Sequence, residues 1–352
     1  MSELHERPGV YSVYDMSSVV SGGRAVQAIG VAARAAKGAV DKPVTVTGWA
    51  AGVSAFGEDE TAGMSTILKL LFENGASAVT AVRVADEGGT EDYARAFAAL
   101  GKEEVRVLVC DSGEEDVQRA LRDAVEEASR LRHERIAVVG RAGAEVSDLI
   151  ARAEALNSER MVLVGPDALD GGGKPLSGVF AAAAVAALAA AGGDPAVPLN
   201  GGALKGLTGL SRDYGDNDID LLVRGGVTPL ECVGGVVSPV RGITTRTKTG
   251  GAADATWREL TTILIVDDVI PAVRAALRSR FSRSKNTARS RAAIRSQVIV
   301  ELEKKLAAEI ISGYDGVTVA ASEEDPTVCL VEFGFSVAHG LNQVRLTVHI
   351  EI

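Results

Sequence analysis

Two turns in the chain carry the residue types of nucleophilic hydrolysis. Asp111-Ser112-Gly113 ends a β-branched run, and Ser177-Gly178 opens an alanine-rich stretch. Acyl transfer by such a serine needs an imidazole within hydrogen-bond reach, an acid to orient it and an oxyanion hole. Of the four histidines, His5, His133, His339 and His349, only His133 falls between the two turns. It sits in RLRHER, a charged helix end, without the small residues that surround a catalytic imidazole. A solvated helix C-terminus, favoured by the helix dipole, accounts for it better. The triad is incomplete, and the sequence predicts no catalytic residue.

Phosphate and metal chemistry fail on spacing. GPDALDGGGKP (165–175) places glycines and Lys174 after a strand, but Pro175 follows the lysine where a phosphate loop needs Ser or Thr. GGRAVQAIG and VVGRAGAE lack the G-x-G-x-x-G spacing. No histidines pair at i, i+4, and Cys110, Cys232 and Cys329 stand far apart, as reduced thiols rather than ligands or bridges. DYGDNDID (213–220) has its glycine too early for a calcium loop and reads as an exposed acidic turn. No cofactor and no metal is expected.

One charge feature remains. Between Asp268 and Glu301 there is no acid, whereas Arg274, Arg278, Arg280, Arg283, Lys285, Arg289, Arg291 and Arg295 supply eight bases. The whole chain carries −10, so without these eight the rest carries −18. A net negative chain argues against general nucleic-acid binding. No aromatic residues interleave with the bases for stacking, so an acidic protein surface is at least as good a partner as nucleic acid, and a merely solvated face is the third reading.

The elements that hold these residues follow from periodicity. VTAVRV (79–84), VRVLVC (105–110), RIAVVG (135–140) and RMVLVG (160–165) read as buried strands. Between them run helices, clearest over 114–132, where Val117, Leu121, Ala124, Val125, Ala128 and Leu131 share a face. Others cover AEVSDLIARAEAL and SGVFAAAAVAALAAA, the latter expected to be buried. Strands and helices in alternation give βαβ units and a parallel sheet. After about residue 190, Gly- and Pro-rich sequence predicts loops and short β segments. ELTTILIV (259–266) then reads as a strand, DDVIPAVRAALRSRF as a helix with Pro271 in its first turn, and 287–311 as a second helix. TVCLVEFGFSV and QVRLTVHIEI close the chain as strands.

Both ends are patterned as strands. Val344, Leu346, Val348, Ile350 and Ile352 alternate with polar residues, and Val10, Tyr11, Ser12, Val13 and Tyr14 show a weaker alternation. The start, MSELHERPGV, has no basic or apolar leader, and the longest apolar run, 13 residues at 179–191, is too short for a bilayer. Synthesis in a cytoplasm, with no membrane partner, is the expectation.

In this order the segments resemble the tail sheath proteins of contractile phage tails and related tail-like particles. RPGVYSVY is similar to that family's opening, and GGRAVQAIGVAARAAKG to its first buried strand and turn. VTVTGWAAGVSAFGEDE, ILKLLFENGASAVTAVRV, MVLVGP, AAAVAALAAAGGDPAVPL and GLTGL follow in family order. The strongest block is VRGITTRTKTGGAADATWRELTTILIVDDVIPAVRAALRSRF, followed by Asn286, Arg289 or Arg291, Ile294, Ser296 and Val298.

The resemblance implies an α/β fold: a parallel-sheet middle domain, subtilisin-like in topology but non-catalytic, and a C-terminal α+β domain, with extended N- and C-terminal arms. The expected divisions are an arm at 1–24, the α/β domain at 25–240, a tube-facing domain at 241–341 and an arm strand at 342–352. It implies a structural subunit, not an enzyme, that stacks as six-subunit rings around a tail tube and contracts to drive the tube through a target envelope. Its implied partners are further copies of itself, the tube protein, and baseplate and tail terminator proteins, in a virion or tail-like particle assembled in the host bacterial cytoplasm. The arms, Val10–Tyr14 and Val344–Ile352, would join sheets of neighbouring subunits. The basic residues Arg274, Arg278, Arg283, Lys285, Arg289, Arg291 and Arg295 would face an acidic tube. A hydrolase on a subtilisin-like scaffold and a basic nucleic-acid-binding module are the alternatives.

Overall fold

The computed structural model describes residues 28–59 and 63–342. The expected arms at 10–14 and 344–352 lie outside these residues. The described chain forms two compact units. The larger holds 28–192, 197–260 and 339–342, and the smaller holds 193–196 and 261–338.

The larger unit begins with β1 (Ile29–Ala33), β2 (Pro43–Val46), α1 (Trp49–Phe56), α2 (Met64–Glu73) and β3 (Val79–Arg83). Then come α3 (Thr90–Leu100), β4 (Val107–Cys110), α4 (Glu115–Arg130), β5 (Ile136–Gly140), α5 (Val146–Leu156) and β6 (Met161–Gly165). Next are β7 (Ala168–Asp170), β8 (Pro175–Leu176), α6 (Gly178–Ala191), β9 (Leu207–Leu210), α7 (Asp216–Arg224), β10 (Val227–Val233) and β11 (Val236–Pro239). The hairpin β12 (Lys248–Thr249) and β13 (Ala252–Ala253) completes it.

Eight of these strands form one sheet in the order β11-β10-β6-β5-β4-β1-β3-β2. Its six central strands are parallel, and β2 and β11 close the two edges antiparallel. The four expected strands are β3 to β6, buried along almost their full length as a sheet covered on both faces requires. One face carries α3, α4 and α5, whose Tyr93, Phe97, Leu121, Val125 and Leu149 share a core with Leu108, Val139 and Leu163. Helix α6 packs on β4, β5 and β6 and against α2, with nearly every side chain buried. Ten of its fourteen residues are alanine or glycine, so backbones can approach it closely from several sides.

The segment 241–260 is grouped by the sequence with the C-terminal region but lies in the larger unit. Threonine hydroxyls on both sides of this contact explain it. Thr245 exchanges hydrogen bonds of 3.0 Å with Ser158 through its hydroxyl, and the Thr228 hydroxyl donates to the Ile243 carbonyl at 2.9 Å.

The smaller unit is α+β. It contains α8 (Leu260–Phe281, entering from the larger unit at Leu260), α9 (Ala288–Ala307), β14 (Ile311–Ala321) and β15 (Cys329–Val337). The expected strand at 259–266 instead runs into the first third of α8, and Pro271 lies inside this 22-residue helix rather than in its first turn. A continuous apolar run has no readable period. Here Ile263, Leu264, Ile265 and Val266 are all buried, because this part of the helix is covered on several sides. Pro271 removes only one backbone bond from a helix otherwise held by packing. Helix α9 starts as expected, with the Thr287 hydroxyl accepting from the Ser290 N–H at 3.2 Å. Strand β14 escapes sequence reading because ISGYDGVTVAA has no clean alternation, and its pairing to β15 contains two register shifts.

Within the smaller unit, Ile265, Val269, Val273, Leu277, Val298, Leu302, Ile311, Val317 and Phe335 form the core. A charged pair borders it: Lys305 donates to Asp268 at 2.8 Å, with side chains 10% and 8% exposed. Asp268→Ala is expected to cost ~3 kcal/mol of stability, because it strands a buried ammonium group. Asp268→Ala combined with Lys305→Met should recover most of that loss, measured by urea unfolding.

Candidate assembly surfaces

The hydrolase-like residues do not converge. Asp111, buried at the end of β4, accepts the Arg34 backbone N–H at 3.1 Å, the Arg34 Nε–H at 3.3 Å and the Tyr93 hydroxyl at 2.5 Å. Burial, then the Asp111 charge, pushes the Tyr93 hydroxyl well above its usual range. Burial pushes the neighbouring Cys110 thiol up to about 12, so it is no nucleophile at neutral pH. Asp111 is a structural hub that ties β1, α3 and β4 together.

Ser177 precedes α6 beside the C-terminal end of β5, where Gly140 lies against Gly178. His133 is exposed and sits before the opposite end of β5. A five-residue strand at about 3.3 Å per residue keeps His133 roughly 16 Å from any contact with Ser177. The α6 N-terminus is already occupied. Asp167 accepts the Gly178 N–H at 2.6 Å and the Gly143 N–H at 2.7 Å, taking the place where an oxyanion would need free donors.

The other candidate motifs resolve into local structure. In GPDALDGGGKP, the Asp170 carboxylate caps the β7–β8 turn by accepting from the N–H groups of Lys174 and Gly172, which hold its pKa below the usual range. DYGDNDID is not a turn but leads into α7, with Asp216 and Asp218 in the first turn, where the helix dipole favours them. Among the described residues no group of three or more His, Cys, Asp or Glu could hold a metal. No described helix is long and apolar enough to cross a membrane.

The basic stretch spans the end of α8, the connecting turn and the first half of α9, and its members differ in role. Arg280 donates to Gln297, Arg291 to Asn286 Oδ1 at 2.9 Å, and Arg295 to the Val317 carbonyl at 2.8 Å. These three brace the smaller unit, and Arg274 is half-buried. Arg278, Arg283, Lys285 and Arg289 are exposed. Asn286, a positioning residue invisible to charge counting, holds the turn by donating to the carbonyls of Pro326 (2.8 Å) and Val328 (3.1 Å). The result is a corner carrying six exposed cations, of which Arg280 and Arg295 are held by hydrogen bonds and the other four extend from it.

The second surface is the β14–β15 ribbon. Ile311, Val317, Val331, Phe333, Phe335 and Val337 pack on the helices, while Thr318, Ala320, Leu330 and Glu332 face outward. Among the described residues each strand is paired on one side only, over eleven residues of β14 and nine of β15. Such a long open edge is a template for added strands.

Comparison with known proteins accounts for this combination. The model of the phage tail sheath protein central domain matches residues 86–245, and that of the phage tail sheath C-terminal domain matches 252–351. No curated protein matches the sequence significantly. Among solved structures, the helical sheath of the anti-feeding prophage in its contracted state is similar at a TM-score of 0.71 and 16% identity, covering 99% of this chain and 100% of that one. The crystal structure of the sheath tail protein of Desulfitobacterium hafniense gives 0.70 at 11% identity, over 94% and 100%. The contracted PVC sheath complex of an extracellular contractile injection system gives 0.68 at 14%, over 100% and 99%. At these identities the structures show a shared fold, a mixed α/β architecture with a large, mostly parallel sheet and a C-terminal α+β region. With both domain models in order along one chain, the protein belongs to the phage tail sheath family.

Proposed function

We propose that this chain is the structural, non-enzymatic subunit of a contractile sheath. It stacks as hexameric rings around a tail tube and contracts to drive the tube through a target envelope. The observation that carries this reading is the β14–β15 ribbon, a two-stranded sheet whose outer edges are both open among the described residues, in a chain whose ends are patterned as strands. Main-chain bonds to an added strand supply affinity, and alternating side chains set its register. A donor strand leaving one subunit for the next is a heterologous contact, which builds rings and helices rather than closed dimers.

The sheet order supports a subtilisin-like winding, since the chain starts at β1 and places β3 on one side and β4 on the other. The arms at 10–14 and 344–352 are the strands donated between subunits. Baseplate and terminator proteins cap the stack, and the particle, a virion or tail-like device, assembles in the host cytoplasm. Negative-stain microscopy of the purified protein tests the reading. Tubes or stacked rings are expected, and a monomer that never decorates its own particle's tube would overturn it.

The exposed cations Arg278, Arg283, Lys285 and Arg289 face an acidic tube. Each such contact contributes only ~0.2–1 kcal/mol and is screened by salt, which suits a grip that must release. Reversing all four to Glu should weaken co-sedimentation with tubes by about tenfold or more at physiological salt, with the melting temperature little changed. Reversing Arg291 and Arg295 instead should lower the melting temperature. Unchanged tube decoration by the quadruple variant would dismiss this surface.

A further inference from the structure

The larger unit holds an anchor at the root of the C-terminal arm. Asn200 Nδ2 donates to Asn342 Oδ1 at 2.8 Å. Two residues earlier, Gly340 lies so close to Pro198 that an added Cβ would sit 2.9 Å from its ring. The loop bearing Asn200 is itself fixed to edge strand β11, where Gly201 N–H donates to the Pro239 carbonyl at 2.9 Å and Leu204 N–H to that of Val237 at 2.8 Å. Around this contact the chain exposes apolar surface, Leu341 at 75% and Val197 at 59%. Asn200 Oδ1 is buried and has no partner among the described residues.

We propose that Asn200 and Asn342 form a clamp that sets where the C-terminal strand leaves its subunit, and that Asn200 is therefore a positioning residue for polymerisation. The proposal rests on the reading of 344–352 as a donated strand. Only Gln343 separates Asn342 from Val344, the first residue of the alternating pattern. With the clamp closed, the strand's origin is fixed to within about one residue. With it open, the four residues 339–342 become slack, adding roughly 13 Å of reach at ~3.3 Å each. A longer, looser tether lowers the effective concentration of the strand at its acceptor and blurs the geometry of the ring.

The test compares Asn200→Ala, Asn342→Ala and a truncation lacking Leu346–Ile352. Each is titrated in polyethylene glycol to the concentration at which the wild type pellets as tubes. Both substitutions should melt like the wild type. They should need on the order of fivefold more protein to assemble, the factor that goes with one ordinary hydrogen bond, and give tubes of uneven diameter. A Gly-Ser-Gly insertion after Asn342 lengthens the tether beyond an intact clamp and should have the same effect. If the truncation assembles normally, the donated-strand reading falls and the clamp with it. If the truncation fails to assemble while both substitutions give wild-type tubes at the wild-type concentration, the clamp alone is overturned.

Discussion

Removal of Leu346–Ile352 is expected to give a folded monomer that does not polymerise. The expectation follows from what each state would lose. The smaller unit closes its core from Ile265, Val269, Val298, Leu302, Val317, Phe335 and their neighbours, with β14 and β15 already paired to each other. All of these contacts are made among the described residues. The assembled state would lose a whole strand, including the burial of Leu346, Val348, Ile350 and Ile352. At about 1.5–3 kcal/mol for each fully buried side chain, even half of that total weakens association by about a hundredfold or more. Light scattering should report a single monomeric species, microscopy no tubes, and the thermal transition should stay within a few degrees of the full-length chain. An intrasubunit strand predicts the opposite pattern, a melting temperature lowered by ten degrees or more.

The middle of this fold is legible in the sequence because its strands are short β-branched runs and its helices carry clear amphipathic stripes, as at Val117, Leu121 and Val125. The legible signal is local. It fails in α8, where Ile263–Val266 is a continuous apolar run that looks like a strand, although all four residues are buried in a helix. It fails again in β14, whose glycines and register shifts hide the period that β15 displays. The assembly surfaces divide in the same way. The eight bases are obvious in the sequence, but only their hydrogen bonds separate the braces Arg280, Arg291 and Arg295 from Arg278, Arg283, Lys285 and Arg289. Asp111 attracts attention as a catalytic type, and its partners Arg34 and Tyr93, 77 and 18 residues away, make it a structural hub instead. Asn200 has no sequence signal at all, and Asn286 stands out only through the family resemblance, because their partners lie 142 and 40 residues away.

Gly140→Ala should be among the most damaging single substitutions in the larger unit. Gly140 ends β5 where α6 begins, and an added Cβ would lie 2.1 Å from the Gly178 carbonyl oxygen and 2.6 Å from the Val179 nitrogen. Both are backbone atoms of a helix that is buried on nearly every side, so α6 cannot retreat without disturbing β4, β6 and α2. The Asp167 bond to Gly178 N–H pins the same turn from the other direction. Overpacking usually costs about 1–3 kcal/mol when side chains can give way; here none can, so the cost should exceed that range and consume much of a typical domain's stability. Gly165→Ala is the control. Its Cβ would approach Leu149 Cδ1 at 2.8 Å, the far end of a flexible side chain, and a rotamer change should hold the loss near 1 kcal/mol. Urea unfolding of both variants should therefore rank them clearly. Equal stabilities would show that α6 can shift, and that this strand-to-helix contact is not the rigid point around which the larger unit is built.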